Sequence, residues 1–415
     1  MEQEMAPKRS RTQGSSSRAA ARPEAITPAT FGLRLQEQVH RDRFDTLCKR
    51  PIVPTRYLDF DLVNVLGIRE DIDYLAESLH WSQFIHIQEV AYIGLVYEFL
   101  STLEVQLLKG PNMREGLCTF RLDNRDRQLV LQEIAQIFYF RHVDHRDPCT
   151  EGQAVFCDVH SLWDAIADGQ YSPKTSKATA ITSPPLRLLH RFMTHTIFGR
   201  GEGGENQANK KEMIFLYAAL HPGCRLNSAA FMMSHIHLVA ARGAGSIAIG
   251  GLITSIARYF GINLENRLDA IPPLPIGAES LHKMGVLLVH RGIYYWMIDQ
   301  ARRLYAPLPD PARTSITEGR NWRLLPRPTD LTYNEILADF QGQIDEEAEY
   351  EDNPDPTGED EDEDEDAEYA PTTGQQSLRS YMESQFTLIT DRFSALDTRF
   401  TTRTTTTTTL LMHYS

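Results

Sequence analysis

Five side chains able to bind soft metals fall between residues 142 and 160: His142, His145, Cys149, Cys157 and His160. A structural zinc site wants four Cys or His ligands in paired short spacings such as C-x2-C. Here the spacings are irregular, and no C-x-x-C occurs in the chain. The window reads as a polar connector with two half-buried cysteines, and no metal is expected. His221 and Cys224 form an isolated pair with too few ligands. Gly199-Arg200-Gly201-Glu202-Gly203-Gly204 is glycine-rich, but no Gly-Lys-Ser/Thr follows, so it is not a phosphate-binding loop. Gly243-Ala244-Gly245 lacks the third glycine of the dinucleotide fingerprint. Both read as helix ends. No Gly-x-Ser-x-Gly elbow, Asp-Thr/Ser-Gly triplet or Tyr-x-Asp-Asp signature is present. No catalytic residue, cofactor or metal ligand is expected.

Cations offer the other chemistry. Arg187, Arg191 and His195 recur at i, i+4 spacing on a predicted helix, with Arg200 just beyond it. Lys8, Arg9 and Arg11 cluster near the N-terminus. Together these arginines and Lys8 are candidate nucleic-acid contacts, since each can neutralise a phosphate and release a counterion. Against that, strong binders show a clear basic excess, and this body is nearly neutral. The competing reading of Arg187 and Arg191 is a solvated helix face or a domain interface.

The elements that position these groups lie between two charged tails. Residues 1–22 hold five basic residues against Glu2 and Glu4. Residues 345–368 hold sixteen Asp or Glu and no Lys or Arg. Removing those sixteen from the net charge of −14 leaves +2. A near-neutral apolar middle between charged tails reads as a folded body with two solvated arms. The expected organisation is a disordered basic arm over 1–29, an α-rich body over 30–335 with a subdivision allowed near 150–180, a disordered acidic linker over 341–374, a short coiled coil over 375–403 and a low-complexity tail over 404–415. Five scattered cysteines argue for a reducing compartment. No h-region and no apolar run of about twenty residues is present, so no secretory signal or membrane span is expected.

Within the body, apolar periodicity predicts helices over 31–50, 59–66, 70–79, 89–107, 131–138, 186–198, 210–220, 227–241 and 246–260. The first of these takes Leu35, Val39, Phe44 and Leu47 as its apolar set. The alternation over 118–122, with Asp123-Asn124 as a turn, predicts a hairpin returning through 127–130. Residues 286–290 and 293–297 flank Arg291-Gly292 as a second hairpin, with a helix as the competing reading. The expected fold class is mainly α: a helical body with one or two small β-hairpins and a C-terminal coiled-coil helix. In that helix Met382, Phe386, Ile389, Phe393, Leu396 and Phe400 are spaced 4, 3, 4, 3, 4, a heptad seam. So short a helix is marginal alone and needs a partner to bury the seam. Self-association is the expected partner, and folding back on the body the alternative.

Several strings occur in a familiar order: Ile68-Arg69-Glu70-Asp71, Glu98-Phe99-Leu100-Ser101-Thr102-Leu103, Thr119-Phe120-Arg121-Leu122, and Ser172-Pro173-Lys174-Thr175-Ser176-Lys177-Ala178. The two longest are Leu189-His190-Arg191-Phe192-Met193-Thr194-His195-Thr196-Ile197-Phe198-Gly199-Arg200-Gly201-Glu202 and Gly250-Gly251-Leu252-Ile253-Thr254-Ser255-Ile256-Ala257. Over residues 31–300 their order and spacing resemble the plant transposon-associated proteins of Athila-type, Gypsy-class LTR retrotransposons. The resemblance implies a gag-like or accessory role and brings no assigned activity and no catalytic residues. The chain carries no protease, reverse-transcriptase, ribonuclease or integrase signature, and no retroviral-type zinc knuckle. It resembles a separate small protein or remnant of such an element.

Three function classes follow. The leading one is a non-enzymatic, self-associating retroelement protein that forms a homo-oligomer through the C-terminal helix. The second is a nucleic-acid or chromatin-binding accessory protein. The third is an enzyme with an unrecognised site. The acidic linker is suited to a basic protein partner, and no membrane partner is expected. The expected location is intracellular, with the run Pro7-Lys8-Arg9-Ser10-Arg11 favouring nucleus over cytoplasm.

Overall fold

A computed structural model describes residues 26–106, 116–141, 158–173, 175–200, 206–224 and 226–338. The chain divides into a unit Met1–Glu346 and a unit Glu347–Ser415, and the second lies outside the described residues. So do the basic run at 7–11, the acidic linker and the heptad seam.

The first unit runs α1 (Gln38–Leu47), β1 (Arg56–Leu58), α2 (Phe60–Val65), α3 (Arg69–Ser78), β2 (Ala91–Tyr92), α4 (Ile93–Thr102), β3 (Glu104–Gln106), β4 (Leu117–Leu122), β5 (Arg125–Val130) and α5 (Leu131–Ile137). It continues through α6 (Val159–Ile166), α7 (Pro184–His195), α8 (Lys210–Leu220), α9 (Ser228–Ala241) and α10 (Gly250–Tyr259). The last third holds β6 (Ala270–Ile271), β7 (Leu274–Ile276), α11 (Ala278–Lys283), β8 (Leu287–His290), β9 (Ile293–Asp299), β10 (Leu304–Leu308), α12 (Pro311–Thr314), α13 (Ile316–Gly319) and β11 (Leu331–Thr332).

This corrects the expectation of a mainly α body with one or two hairpins. Among the described residues helices share the fold with four sheets, ordered β1-β7, β2-β6, β3-β4-β5 and β11-β10-β9-β8. The physical reason is strand length and partner distance. β1 pairs in parallel with β7, Arg56 against Leu274, and β2 pairs with β6, Ala91 against Ile271. Strands of two or three residues show no alternation period, and their partners are far away in sequence. The stretch expected as one helix over 89–107 divides into β2, α4 and β3. The hairpin at 286–297 gains β10 and β11 as further strands.

Two helices form the interior. In α4 every residue from Gly94 to Thr102 is buried, with α1, β4 and α10 packed around it. In α7 all twelve residues are buried, against α3, α8, β1 and β7. Pro184 and Pro185 start α7, where a missing N–H costs nothing. Trp81, Phe84, Phe138, Phe140, Phe192 and Phe215 meet edge to face and tilted between α3, α5, α7 and α8.

Gly250 and Gly251 open α10 where backbone must approach backbone. A Cβ on Gly251 would lie 2.7 Å from the Glu89 carbonyl oxygen and against the Tyr57 hydroxyl. The Gly251 N–H donates to Thr55 Oγ1 at 2.9 Å, and that hydroxyl donates to the Ala248 carbonyl at 2.6 Å. The strings at 189–202 and 250–257 are therefore centred on core-packing residues.

Candidate functional site

A group of buried and half-buried ionisable side chains gathers around α7. Glu212, in the first turn of α8, is its hub. Its Oε2 lies 2.9 Å from His190 Nε2 and accepts from the Asn209 N–H at 3.0 Å. Its Oε1 lies 3.0 Å from Arg200 Nη2. Arg200 also donates through Nη1 to the Gln207 carbonyl at 2.9 Å. The Arg200 backbone N–H donates to the Thr194 carbonyl at 2.7 Å, which closes the turn after α7. Arg191 Nη1 donates to Asn206 Oδ1 at 3.0 Å, and Nη2 meets Met284 Sδ.

Charge inside this cluster is controlled by burial. His190 and Glu212 are both fully buried. Burial, then Arg191 and Arg56, pushes His195 down to about 3, so it is neutral. Burial and the neighbouring Arg191 bring Arg187 down to about 9. Its guanidinium donates to the Ile181 carbonyl at 2.6 Å and lies 5.2 Å from the Trp296 ring centre. A His–carboxylate pair is the geometry of a general base and its orienting group. Here the pair is sealed from solvent, and the carboxylate already meets His190, Arg200 and the Asn209 N–H. Its chemistry is to fasten α7, the turn after it and α8 to one another.

The expected nucleic-acid contacts are placed accordingly. Arg187 and Arg191 point inward, 3% and 6% exposed, which corrects both the phosphate-contact and the solvated-face readings. The i, i+4 stripe marks a surface only when one helix face stays wet, and α7 is covered on all sides. Arg200 is half-buried and paired with Glu212. Lys8, Arg9 and Arg11 lie outside the described residues, as do Met382, Phe386, Ile389, Phe393, Leu396 and Phe400. Of the metal-type window only His160 is described, exposed on α6 with its ring beside Tyr171. Among the described residues no group of three His, Cys, Asp or Glu is placed to hold a metal. His221 stacks on Tyr217, with ring centres 4.0 Å apart.

Other fasteners had no signal in the sequence. Glu98, buried in α4, accepts the N–H groups of Asp123 and Asn124, each at 2.7 Å, and so clamps the β4–β5 turn. Arg50 donates to the carbonyls of Val239, Arg242 and Gly245 at 2.7, 3.0 and 2.8 Å, capping the end of α9. Each joins residues far apart in sequence, so no local pattern announces it.

Among the described residues an open cavity of about 360 Å³ lies over the three-stranded sheet. Glu37 and His40 wall it from the start of α1, and Glu104, Arg121, Asp126 and Gln128 line it from the strands. Cys118, Phe120 and Leu122 take the buried face of β4, which leaves Thr119 and Arg121 on this outer face. The volume falls in the range of ligand pockets, about 300–1,000 Å³.

A family model described as the ATHILA ORF-1 family matches the chain over residues 33–235 and 226–388. No curated protein and no solved structure matches it.

Proposed function

We propose, from the premise that this chain belongs to the ATHILA ORF-1 family and is a retrotransposon-derived protein, that it is non-enzymatic, gag-like and self-associating. The parent element on this reading is an Athila-type, Gypsy-class LTR retrotransposon. The observation that carries the reading is the sealed network around Glu212. This buried ionisable cluster joins helices to one another, which suits a scaffold. The heptad seam at Met382, Phe386, Ile389, Phe393, Leu396 and Phe400 supplies the means of assembly.

Light scattering of the full-length chain tests this. Ile389→Asp with Phe393→Asp places two charges in the seam, and the variant is expected to have a smaller mass than the wild type. An unchanged mass would remove self-association through this segment.

A second reading, nucleic-acid or chromatin binding, rests on the basic run Lys8, Arg9 and Arg11. With Arg187 and Arg191 inside the body, these three carry it. Changing all three to Ser should weaken binding to DNA or RNA and flatten its salt dependence by about 2–3 units of slope. The same run favours the nucleus over the cytoplasm. Among the described residues no helix is long and apolar enough to cross a membrane.

A further inference from the structure

We propose that the groove over β3, β4 and β5 is the docking site of the chain's own basic arm, residues 8–22. The inference rests on the groove and the charge of the arm, independently of the family reading.

The groove has an excess of carboxylate. Glu37, Glu104 and Asp126 face it, with Arg121, Arg127 and His40 as the groups able to carry positive charge. Arg121 is already held by Asp126 at 2.7 Å and by the Asn124 carbonyl at 2.7 Å. Arg127 has its guanidinium 4.8 Å over the Phe260 ring. Glu37 has His40 at 3.8 Å and is otherwise exposed, with 68% of its side chain in solvent. Glu104 is exposed at the start of β3. With Arg121 and Asp126 paired, Glu37 and Glu104 stand against Arg127 alone, an excess of one carboxylate for an incoming cation.

Gly32 and Arg34, about ten residues after the arm in sequence, meet the hairpin that lines this groove. The Asn124 side chain, in the turn that joins β4 to β5, donates to the Gly32 carbonyl at 3.0 Å and accepts from the Arg34 N–H at 2.7 Å. Phe31 packs on Tyr97 with ring centres 5.7 Å apart. The chain thus enters the body against the same hairpin that carries Arg121 and Asp126. Arg22 is four residues before Ile26, and Lys8 eighteen before it. At roughly 3.5 Å per residue the arm reaches from about 14 to about 60 Å, enough to lie along the groove. Its five cations are opposite in sign to the groove's excess carboxylate. A nucleic acid seeking Lys8, Arg9 and Arg11 then has to displace them from Glu37 and Glu104.

Lys8 is the arm's single lysine, which gives a direct test on the full-length chain. A zero-length carbodiimide joins a lysine amine to a carboxylate at ion-pair distance. Mass spectrometry on mixed light and heavy chains should find Lys8 joined to Glu37 or Glu104 of the same copy. That product should vanish at high salt and in the variant Glu37→Gln with Glu104→Gln. Lys8 joined instead to residues 345–368, to another copy, or to no groove carboxylate would overturn the proposal. Trypsin gives a second readout. Cleavage after Arg9, Arg11 and Arg18 should be about three- to tenfold faster in the double variant, as expected for two exposed ion pairs. Equal rates would count as refutation.

Discussion

Replacing Gly251 by Ala adds one methyl group at the tightest contact between α10 and the segments around it. The new Cβ would stand 2.7 Å from the Glu89 carbonyl oxygen and 3.3 Å from Thr55 Oγ1, and closest to the Tyr57 hydroxyl. None of these neighbours can swing away freely. Glu89 presents backbone, Tyr57 is 1% exposed, and Thr55 Oγ1 is already bonded to Ala248 and Gly251. Overpacking of this kind costs about 1–3 kcal/mol, and losing the Gly251–Thr55 hydrogen bond adds about 1 kcal/mol. Alanine returns up to about 1 kcal/mol of helix propensity. The net expectation is a loss of about 1–3 kcal/mol. Gly243→Ala is the control, because a Cβ there meets nothing within 4 Å. It should stay within about 0.5 kcal/mol of wild type. Urea unfolding followed by circular dichroism reads both. With a slope of about 3 kcal/mol/M, Gly251→Ala should lower the midpoint by about 0.3–1 M. Coincident midpoints for the two variants would refute the close approach as the reason for glycine at this position.

Glu98→Ala removes an acceptor shared by two backbone N–H groups and should cost about 3–5 kcal/mol, with amide exchange rising first in the β4–β5 turn. Asp330→Asn leaves Arg313, 4% exposed at its side chain, without the carboxylate that accepts from it at 2.6 and 2.8 Å. A loss of about 3–5 kcal/mol in thermal or urea unfolding is expected. Burial pushes His195 down to about 3 and His235 to about 4, below the ordinary value near 6.5. Below pH 6.5 the unfolded chain takes up protons that these folded side chains refuse. The stability they contribute is complete above pH 6.5 and is lost as pH falls toward 4, by at most about 1.4 kcal/mol per pH unit for each. Asp59, Asp71 and Glu98, raised by burial, act in the opposite direction. The readout is therefore the difference in slope between wild type and His235→Leu from pH 6.5 to 5. Equal slopes would contradict a neutral buried His235.

The parts of the fold legible in advance are those with local causes. Asn227 caps α9 through its side chain, Asn209 and Glu212 form the capping box of α8, and Pro184-Pro185 starts α7. The β4–β5 hairpin is visible because Asp123 and Asn124 supply the two positive-φ residues its turn requires. Val39, expected on an apolar face, is instead 46% exposed on α1. Arg187 and Arg191 depart in the opposite sense, since charge on a helix implies solvent only until another layer covers it.

Composition and pattern alone established a near-neutral middle between oppositely charged ends, most helix positions, the heptad spacing of apolar residues over 382–400 and the resemblance to a retroelement family. Tertiary structure alone decided that α7 is enclosed, that Glu212 gathers His190, Arg200 and Asn209, and that short strands more than a hundred residues apart pair as β1-β7 and β2-β6. The division follows from range. Helix caps and turns are settled by neighbours within a few residues, whereas burial and long-range pairing depend on which surfaces the rest of the chain brings to cover them.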